Sequence, residues 1–478
     1  MSIFGDVVVV GAGSAGSVLA ERLSRDPDCR VVVVEAGPAP SDPRVAQQIS
    51  DGLRLPIGAA SSVVRHYLTT LTDTPPRRTQ ITRGAVVGGS GAVNGGYFCR
   101  GLPADFDGWG IPGWTWRDVL PHFRAIETDL DFAGPLHGAD GPIKVSRVTD
   151  FDGCTASFVE ATREAGFRWL DDLSGLDTGM PADGVGAVPL NIERGTRLGP
   201  GGAFLRPAAD RDNLLLLADT RVTGVRITGG RAVAVECTGP AGVRTVSADR
   251  IVLCAGAIGS AQLLMLSGVG PADPLRALGI RVWSDLPVGA STSDHPEWVI
   301  PVGWTPTHDL PPLEAVLTTA NGLEIRPYTS SFAAMVHGPD HDPADRPHIG
   351  VALMRPRSRG RVRLASADPL VPPVIEHRYD TAPDDVAELA AGAELAYEII
   401  GATATSGEPS WSTSQHLAGT APMGADDDPR AVLDEQCRVR GVDGLWVVDG
   451  AVMPAITSRG PHATIAMIGH RAAEFIAG

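Results

Sequence analysis

The sequence predicts an α/β protein in which a domain with a parallel sheet is interrupted by a second, α+β domain with a mainly antiparallel sheet. Continuous apolar runs at residues 7–10 and 31–34 flank a helical pattern, which is typical of strands buried on both faces. Two more such runs, at 251–254 and 445–448, lie in the middle and near the end of the chain. Shorter alternating stretches between them indicate antiparallel strands. The parallel domain is therefore expected to be discontinuous.

Composition and charge limit the partners of the chain. Its 478 residues include 40 Lys and Arg against 56 Asp and Glu, a formal net charge of −16. A chain this acidic repels phosphate backbones, so we expect no nucleic-acid partner. The six cysteines form no C-x-x-C pair, which argues against a zinc site or disulfide framework and favours a reducing cytoplasm. We expect no signal peptide or membrane span, and peripheral contact with the inner face of the cell membrane stays open.

The first glycine cluster lies between the first predicted strand and the first predicted helix. In Gly11-x-Gly13-x-x-Gly16 the glycines allow a tight turn, a close approach of a pyrophosphate, and close packing of helix on strand. An acid such as Glu35 at the end of the second strand can accept a hydrogen bond from a ribose 2′-hydroxyl. The pattern predicts a Rossmann-type dinucleotide site, and the alternative is a tight structural turn. The predicted contacts are Gly11, Gly13, Ser14, Ala15, Gly16, Glu35 and Ala36.

Two further glycine-rich segments allow more than one interpretation. Residues 83–96 could form a flexible loop, but a flat ring packed against backbone also needs residues that lack a Cβ atom. In that case the amide of Asn94 could reach the edge of the ring. Residues 255–271 are typical of a strand end, a glycine turn and an apolar helix, an arrangement that requires no function.

These clusters, in this order, resemble the glucose–methanol–choline (GMC) oxidoreductase family. The resemblance continues in residues 355–369, in His416-Leu417-Ala418-Gly419-Thr420 with 423–424, and in residues 445–454 followed by 461–464. It covers nearly the whole chain. Within the family, the compact length and residues 100–106 are similar to the subgroup associated with mycofactocin, a peptide-derived redox cofactor.

The resemblance implies that FAD is the cofactor. Val93 stands where some members carry a flavin-linking histidine, so the flavin is expected to be non-covalent. Gly91 and Ala261 depart from the residues that the family usually has at these positions, Ser and Pro. No metal is expected. The cofactor contacts implied in addition to the first cluster are Arg83, Gly88, Gly89, Asn94, Gly95, Val222, Ala255, Gly256, Asp449, Gly450, His462, Ala463 and Thr464.

The resemblance also implies the reaction, which is hydride transfer from a carbinol carbon to flavin N5 while a base takes the hydroxyl proton. His416 is assigned as the base and His462 as the residue that holds the substrate oxygen, because imidazole titrates near neutral pH. The helix expected over 461–476 would direct its positive end at the flavin.

The expected donor is a small-molecule alcohol or a peptide-derived redox donor, reduced mycofactocin in particular. A dehydrogenase that passes electrons to an acceptor other than oxygen, such as the respiratory chain, is favoured over an oxidase. One alternative is a small-alcohol or choline-like oxidase or dehydrogenase, and another is a non-catalytic flavin- or NAD-binding module.

The expected boundaries follow these motifs. An FAD-binding domain, including a β-meander, is predicted over 1–150, 195–293 and 411–478, and a substrate-binding domain over 151–194 and 294–410. Residues 38–80 are expected to be extended and mostly irregular. Helices are predicted over 151–170 and 384–400, and strands of the second domain over 299–302, 332–336, 348–354 and 361–364.

Overall fold

The computed structural model describes residues 3–175, 179–305, 307, 309–337, 346–401 and 407–477 and contains helices and strands along the whole of this range. The helices are α1 Ser14–Leu23, α2 Pro43–Ser50, α3 Pro103–Asp107, α4 Trp116–Ile126, α5 Gly153–Glu164, α6 Arg206–Ala208, α7 Gly256–Leu266, α8 Ala272–Ala277, α9 Phe332–His337, α10 Pro383–Ile400 and α11 His462–Ala477. The strands are β1 Ile3–Val10, β2 Val31–Val34, β3 Val64–Asp73, β4 Pro76–Gly84, β5 Glu127–Asp129, β6 Ile143–Val145, β7 Gly184–Ala187, β8 Ile192–Glu193, β9 Thr196–Arg197, β10 Leu214–Leu217, β11 Arg221–Thr228, β12 Arg231–Gly239, β13 Gly242–Leu253, β14 Pro296–Pro301, β15 Ala315–Thr318, β16 Leu323–Pro327, β17 His348–Leu353, β18 Arg361–Arg363, β19 Val374–Glu376, β20 Ser410–Thr413 and β21 Leu445–Val447.

The first sheet confirms the predicted Rossmann-type domain with a β-meander. Its order is β10-β2-β1-β13-β12-β11, with β21 also paired to β13. The first half of β13 pairs antiparallel with β12, and its second half pairs parallel with β21. The apolar run at 251–254 is therefore not a strand of its own, because it falls at the end of the long strand β13, which begins at Gly242. The valines of β1 and β2 are buried because helices and loops cover both faces of the sheet.

The second sheet confirms the α+β domain. Its order is β20-β14-β17-β16-β15-β7, and every neighbouring pair is antiparallel. Helix α10 packs on this sheet through Leu389, Ala393 and Ala396, which are buried in its core. The predicted helix over 384–400 is therefore confirmed, and the helix expected over 151–170 is the shorter α5.

Two local predictions were wrong. Residues 38–80 are not mostly irregular, since they contain α2 and much of the hairpin β3–β4. Strand β3 alternates buried and more exposed residues over 67–71, but β4 buries only Ile81 and is rich in Arg and Thr, so the sequence shows no clear period across the hairpin. Residues 332–336 form helix α9 and not a strand, because a short apolar run fits either element. The strand predicted over 361–364 is present as β18, and it belongs to a separate sheet, β18-β19-β3-β4, which combines strands from both predicted domains.

None of the helices in the described part of the chain has the length and apolar character that crossing a membrane requires.

Candidate active site

A cavity of about 870 Å³ lies between the two sheets. Its wall includes the carboxyl ends of β1 and β2, the segment 89–95, the start of α7 and residues from β14 and β16. Most of the predicted site residues line it, namely Gly11, Gly13, Ser14, Ala15, Glu35, Ala36, Arg83, Gly89, Asn94, Gly95, Val222, Ala255, Gly256, His416, Asp449, Gly450 and His462. The cavity wall does not include the four other predicted residues, Gly16, Gly88, Ala463 and Thr464. They lie behind the residues that form the wall.

The turn after β1 requires glycine for steric reasons. Gly11 has a φ of +101°, and a Cβ atom there would lie 2.5 Å from the carbonyl oxygen of Cys254. A Cβ atom on Gly16 would lie 2.0 Å from the carbonyl oxygen of Gly11, so Gly16 packs the helix against the turn. Gly13 is different, because a Cβ atom there would meet nothing closer than 3.9 Å. The backbone at Gly13 is therefore open to a ligand.

Glu35 holds this turn in place. Its Oε2 accepts a hydrogen bond of 2.8 Å from the backbone N–H of Ala12, and its Oε1 accepts one of 2.9 Å from Gly37. Burial raises the pKa of this carboxyl above its ordinary value, although the backbone donors oppose the shift. The acid thus stabilises the glycine turn and also faces the cavity.

The second glycine segment packs on the first through backbone atoms. The N–H of Gly88 donates to the carbonyl oxygen of Ala12 at 2.7 Å, which explains why Gly88 lies behind the cavity. A Cβ atom on Gly89 would lie 2.7 Å from Cα of Gly13. The two segments therefore form one surface on which backbone is exposed to the cavity.

Asp449 joins the third glycine segment to the C-terminal part of the chain. Its Oδ2 accepts hydrogen bonds from the N–H of Gly256 at 2.8 Å and the hydroxyl of Ser260 at 2.6 Å, and its Oδ1 accepts one from the N–H of Ala451 at 2.7 Å. Burial raises the pKa of Asp449 to about 6. A Cβ atom on Gly256 would have no heavy atom within 4 Å, so this glycine also leaves open space at the cavity.

This surface fits FAD. Open backbone at Gly13 and Gly256, together with the N-terminus of α1, suits a pyrophosphate, and the acid Glu35 suits a ribose. The buried guanidinium of Arg83 lines the same cavity, and its Nη2 has no hydrogen-bond partner among the described residues. These residues would hold the cofactor.

His462 begins α11 and has a defined protonation state. The side-chain oxygen of Asn94 accepts from the N–H of Gly96 at 3.0 Å, so its amide nitrogen donates to Nδ1 of His462 at 3.1 Å. Burial lowers the pKa of His462 to about 4, and the neutral ring therefore carries its proton on Nε2. This Nε2 lacks a hydrogen-bond partner in the described part of the chain. Ala463 and Thr464 follow in the first helical turn and are fully buried, which keeps them off the cavity wall.

His416 lines the cavity, and its partner is a histidine that sequence reasoning missed. Its Nδ1 lies 2.9 Å from Nδ1 of His295, and the two rings meet edge to face at 5.1 Å. Burial holds the pKa of His416 well below its ordinary value. His462 has Asn94 as its partner, so the two predicted catalytic imidazoles are held by separate groups. His295 precedes β14 in no recognisable motif, and the fold alone brings it across 121 residues to His416.

A buried ion-pair network closes the cavity beyond His416. Arg326 donates to Glu297 at 3.2 Å and to Glu324 at 2.8 Å, and Arg459 lies 3.3 Å from Glu324. Glu297 also accepts from the hydroxyls of Tyr328 and Ser414, each at 2.8 Å. Two carboxylates therefore face two guanidiniums, and the network has no net charge. Sequence reasoning missed these residues as well, because they come from distant parts of the chain: Glu297 from β14, Glu324 and Arg326 from β16, and Arg459 from the segment before α11.

The trio Glu127, Asp129 and His137 has the spacing of metal ligands among the described residues, but it is an ion-pair cluster. The ring nitrogens of His137 lie 3.0 Å from Asp129 and 2.9 Å from Asp172. Burial opposes protonation, yet these two carboxylates raise the pKa of His137 to about 9. A doubly protonated ring has no lone pair for a metal.

The fold and the glycine-lined cavity are those of an FAD-dependent oxidoreductase, and the imidazoles of His416 and His462 line the same cavity. Models of the GMC oxidoreductase family match residues 5–297 and 356–469. The chain belongs to this family. It binds FAD and acts on alcohol-type donors, as expected from its sequence.

The chain is similar in full length to several known proteins. It is 39% identical to an uncharacterized GMC-type oxidoreductase in the thcA 5′ region of Rhodococcus erythropolis, over 99% of both chains. It is 32% identical to an oxygen-dependent choline dehydrogenase of Rhizobium etli, covering 99% of this chain and 95% of that one. The solved structure of pyridoxine 4-oxidase from Mesorbium loti has a TM-score of 0.87 and 29% identity, with 98% of each chain covered.

Proposed function

We propose that the chain oxidises a neutral alcohol-type donor and that His416 takes the hydroxyl proton. The observation that carries this proposal is the orientation of His416, whose Nδ1 contacts His295 while the ring lines the cavity. Nε2 is therefore the nitrogen available to a donor hydroxyl. Bound FAD supplies an acceptor for the hydride of the carbinol carbon.

The protonation state of His416 suits a base. Burial lowers its pKa, so the ring is unprotonated at neutral pH and can accept a proton. A general base of this kind contributes roughly 10²–10⁴-fold to a rate.

The charge balance at the end of the cavity favours a neutral donor over a quaternary ammonium. Glu297 has three partners, Arg326, Tyr328 and Ser414, so its charge and lone pairs are already engaged. A bound cation would need an uncompensated carboxylate or an open aromatic cage. Choline, the substrate named for the Rhizobium etli relative, is therefore the weaker candidate here.

Within this class we propose reduced mycofactocin as the donor and an acceptor other than oxygen, such as the respiratory chain reached from the cytoplasm at the inner face of the membrane. The support is the resemblance of residues 100–106 and the compact length of the chain. None of residues 100–106 lines the cavity, so they support the proposal through the resemblance alone and not through a contact with a donor. A small neutral alcohol oxidised by an oxidase is the second candidate, and pyridoxine 4-oxidase is an oxidase neighbour that favours it.

Anaerobic stopped-flow spectroscopy of the holoenzyme tests the proposal. We expect reduced mycofactocin or neutral alcohols to bleach the flavin band, choline to leave it unchanged, and air to restore it slowly. H416A should lower the rate of bleaching at least about 100-fold while the FAD spectrum stays intact. H66A is the matched control, because His66 lines the same cavity but contacts Thr82. An H416A protein as fast as wild type, or a flavin that no donor bleaches, would refute the proposal.

A further inference from the structure

Asp294 fixes the backbone of both histidines in the pair. Its Oδ1 accepts from the N–H of His295 at 2.8 Å and from the N–H of His416 at 2.7 Å. Its Oδ2 accepts from the hydroxyl of Thr413 at 3.2 Å and lies 3.2 Å from Nδ1 of His377. One buried carboxylate thus binds the backbone of two segments that are remote in sequence.

Backbone pairing next to the histidines makes this arrangement rigid. The N–H of Ser293 donates to the carbonyl oxygen of Ala418 at 3.0 Å, and the N–H of Ala418 donates to that of Ser293 at 2.8 Å. These two hydrogen bonds fix the backbone close to His295 and His416, so the positions of both imidazoles are restrained.

Only one of the two Nδ1 atoms in this contact can carry a hydrogen. Two Nδ1 atoms 2.9 Å apart form a hydrogen bond only if one carries the hydrogen and the other offers a lone pair. If His295 were the donor, neutral His416 would carry its proton on Nε2 and could not accept one there. If His416 is the donor, its Nε2 keeps a lone pair that faces the cavity.

The proposed role of His416 selects the second arrangement. A base that accepts the donor's proton at Nε2 must carry its own proton on Nδ1, so the hydrogen bond of 2.9 Å between the rings runs from His416 to His295. His295 is then an acceptor at Nδ1 and, as a neutral ring, carries its proton on Nε2.

We infer that Asp294 and His295 are positioning residues, which hold His416 with its proton on Nδ1 and its Nε2 lone pair directed at the donor. The inference rests on the proposed function. When the donor is oxidised, its O–H bond breaks and the proton forms an N–H bond at Nε2 of His416. The hydride leaves the carbinol carbon for FAD, the oxidant. The Nδ1–H of the resulting imidazolium stays bonded to His295, which stabilises the positive charge.

Other charges near the pair oppose this cation. Arg326 and Arg83 act on His416 and lower its pKa, as would His295 if it were protonated. Burial lowers the pKa of His295 itself to about 4, with Asp294 and Glu324 opposing the shift and Arg326 adding to it. Neutral His295 is therefore the acceptor available to His416 at neutral pH.

Two substitutions separate a positioning role from a packing role. H295F keeps an aromatic ring against His416 but removes the acceptor, and H295N can place an amide oxygen near the position of Nδ1. We expect H295F to lower the rate of anaerobic flavin reduction about 10- to 100-fold, with little change in KM. The acid limb of its pH profile should move to lower pH, because the His416 cation loses its acceptor. H295N should restore most of the rate and the position of the acid limb.

Nitrogen-15 NMR of the imidazoles gives a readout that does not depend on turnover. We expect His416 to be protonated on Nδ1 and His295 on Nε2 in the wild-type holoenzyme, and the His416 tautomer to change in H295F. A wild-type His416 protonated on Nε2 would overturn the inference, even if H295F did not fold. Wild-type rates and pH dependence in H295F would overturn it as well, as would an H295N protein as impaired as H295F. If H416A is inactive and H295F is not, this inference alone fails, whereas an active H416A would refute the proposed function.

Discussion

The Nε2 atom of His462 lies 2.5 Å from the position that a Cβ atom would occupy on Gly91. The ring cannot retreat, because Asn94 donates to its Nδ1 at 3.1 Å and Phe98 meets it edge to face at 5.1 Å. An imidazole therefore fits at position 462 because residue 91 has no side chain. The departure of Gly91 from the Ser often found in the family has a steric reason in this chain.

This relationship predicts strong coupling between positions 91 and 462. G91A should destabilise the holoenzyme by about 1–3 kcal/mol and lower its FAD content, because the new methyl group overpacks the ring. In an H462A background the same substitution should cost less, and part of the cost should remain, because the new Cβ atom would still lie 2.7 Å from Oγ of Ser14 and 2.9 Å from Cδ of Pro200. Urea unfolding of the four proteins of this cycle measures the coupling. G224A is the control, because a Cβ atom there has no neighbour within 4 Å. Equal costs of G91A in both backgrounds would contradict the prediction.

The glycine surface was predictable from sequence, whereas the groups that surround His416 were not. Buried valine runs and glycine spacing leave a local signature, since Gly11 and Gly16 have no room for a side chain beside neighbouring backbone. The contacts of His416 are set by long-range packing, which no local pattern records. His295 lies just before β14 and contacts His416, whereas Glu297 of β14 and Arg326 of β16 line the cavity itself. Sheet pairing alone brings these strands together.

A second histidine pair makes stability depend on acid. His470 of α11 and His122 of α4 have their Nδ1 atoms 2.8 Å apart, and Arg22 donates to His470 from the other side. Burial lowers the pKa of His470 to about 3 from its ordinary 6.5. Below about pH 6.5 the imidazole of His470 is protonated in the unfolded chain but stays neutral in the folded chain. The free energy of unfolding therefore falls as the pH falls below this value. H470Q keeps an acceptor for Arg22 but cannot take up this proton. Its melting temperature minus that of wild type should therefore increase as the pH is lowered from about 7.5 to 5. A difference independent of pH would contradict this.

Glu314 should show the opposite dependence. This residue is 1% exposed, and its Oε2 lacks a hydrogen-bond partner in the described part of the chain. Burial raises its pKa from 4.5 to about 7. Its contribution to stability is therefore complete below its unfolded pKa and is lost as the pH rises through about 7. As the pH rises from about 5 to 8, the free energy of unfolding of E314Q should increase by roughly 1–3 kcal/mol relative to that of wild type. Thermal unfolding at each pH measures this difference. A relative loss over this interval would show that the carboxylate is ionised in the fold.

Gly460 should control the size of the donor that reaches His416. A Cβ atom on Gly460 would lie 2.9 Å from the ring of Tyr97 and 3.5 Å from Cε1 of His416. Tyr97 cannot yield easily, because its hydroxyl donates to buried Glu324 at 2.9 Å. The methyl group of G460A would therefore narrow the cavity beside the base and displace the donor rather than the cofactor. We expect FAD content to be unchanged and the second-order rate of flavin reduction to fall about 10-fold or more for a bulky alcohol.

A small alcohol provides the internal control for G460A. Its reduction rate should change much less than that of the bulky alcohol, since a smaller carbinol still fits beside the methyl group. Parallel stopped-flow measurements with both donors give the ratio directly. A uniform loss for both donors would instead mean that the substitution moves His416 itself, because a displaced base slows every donor alike.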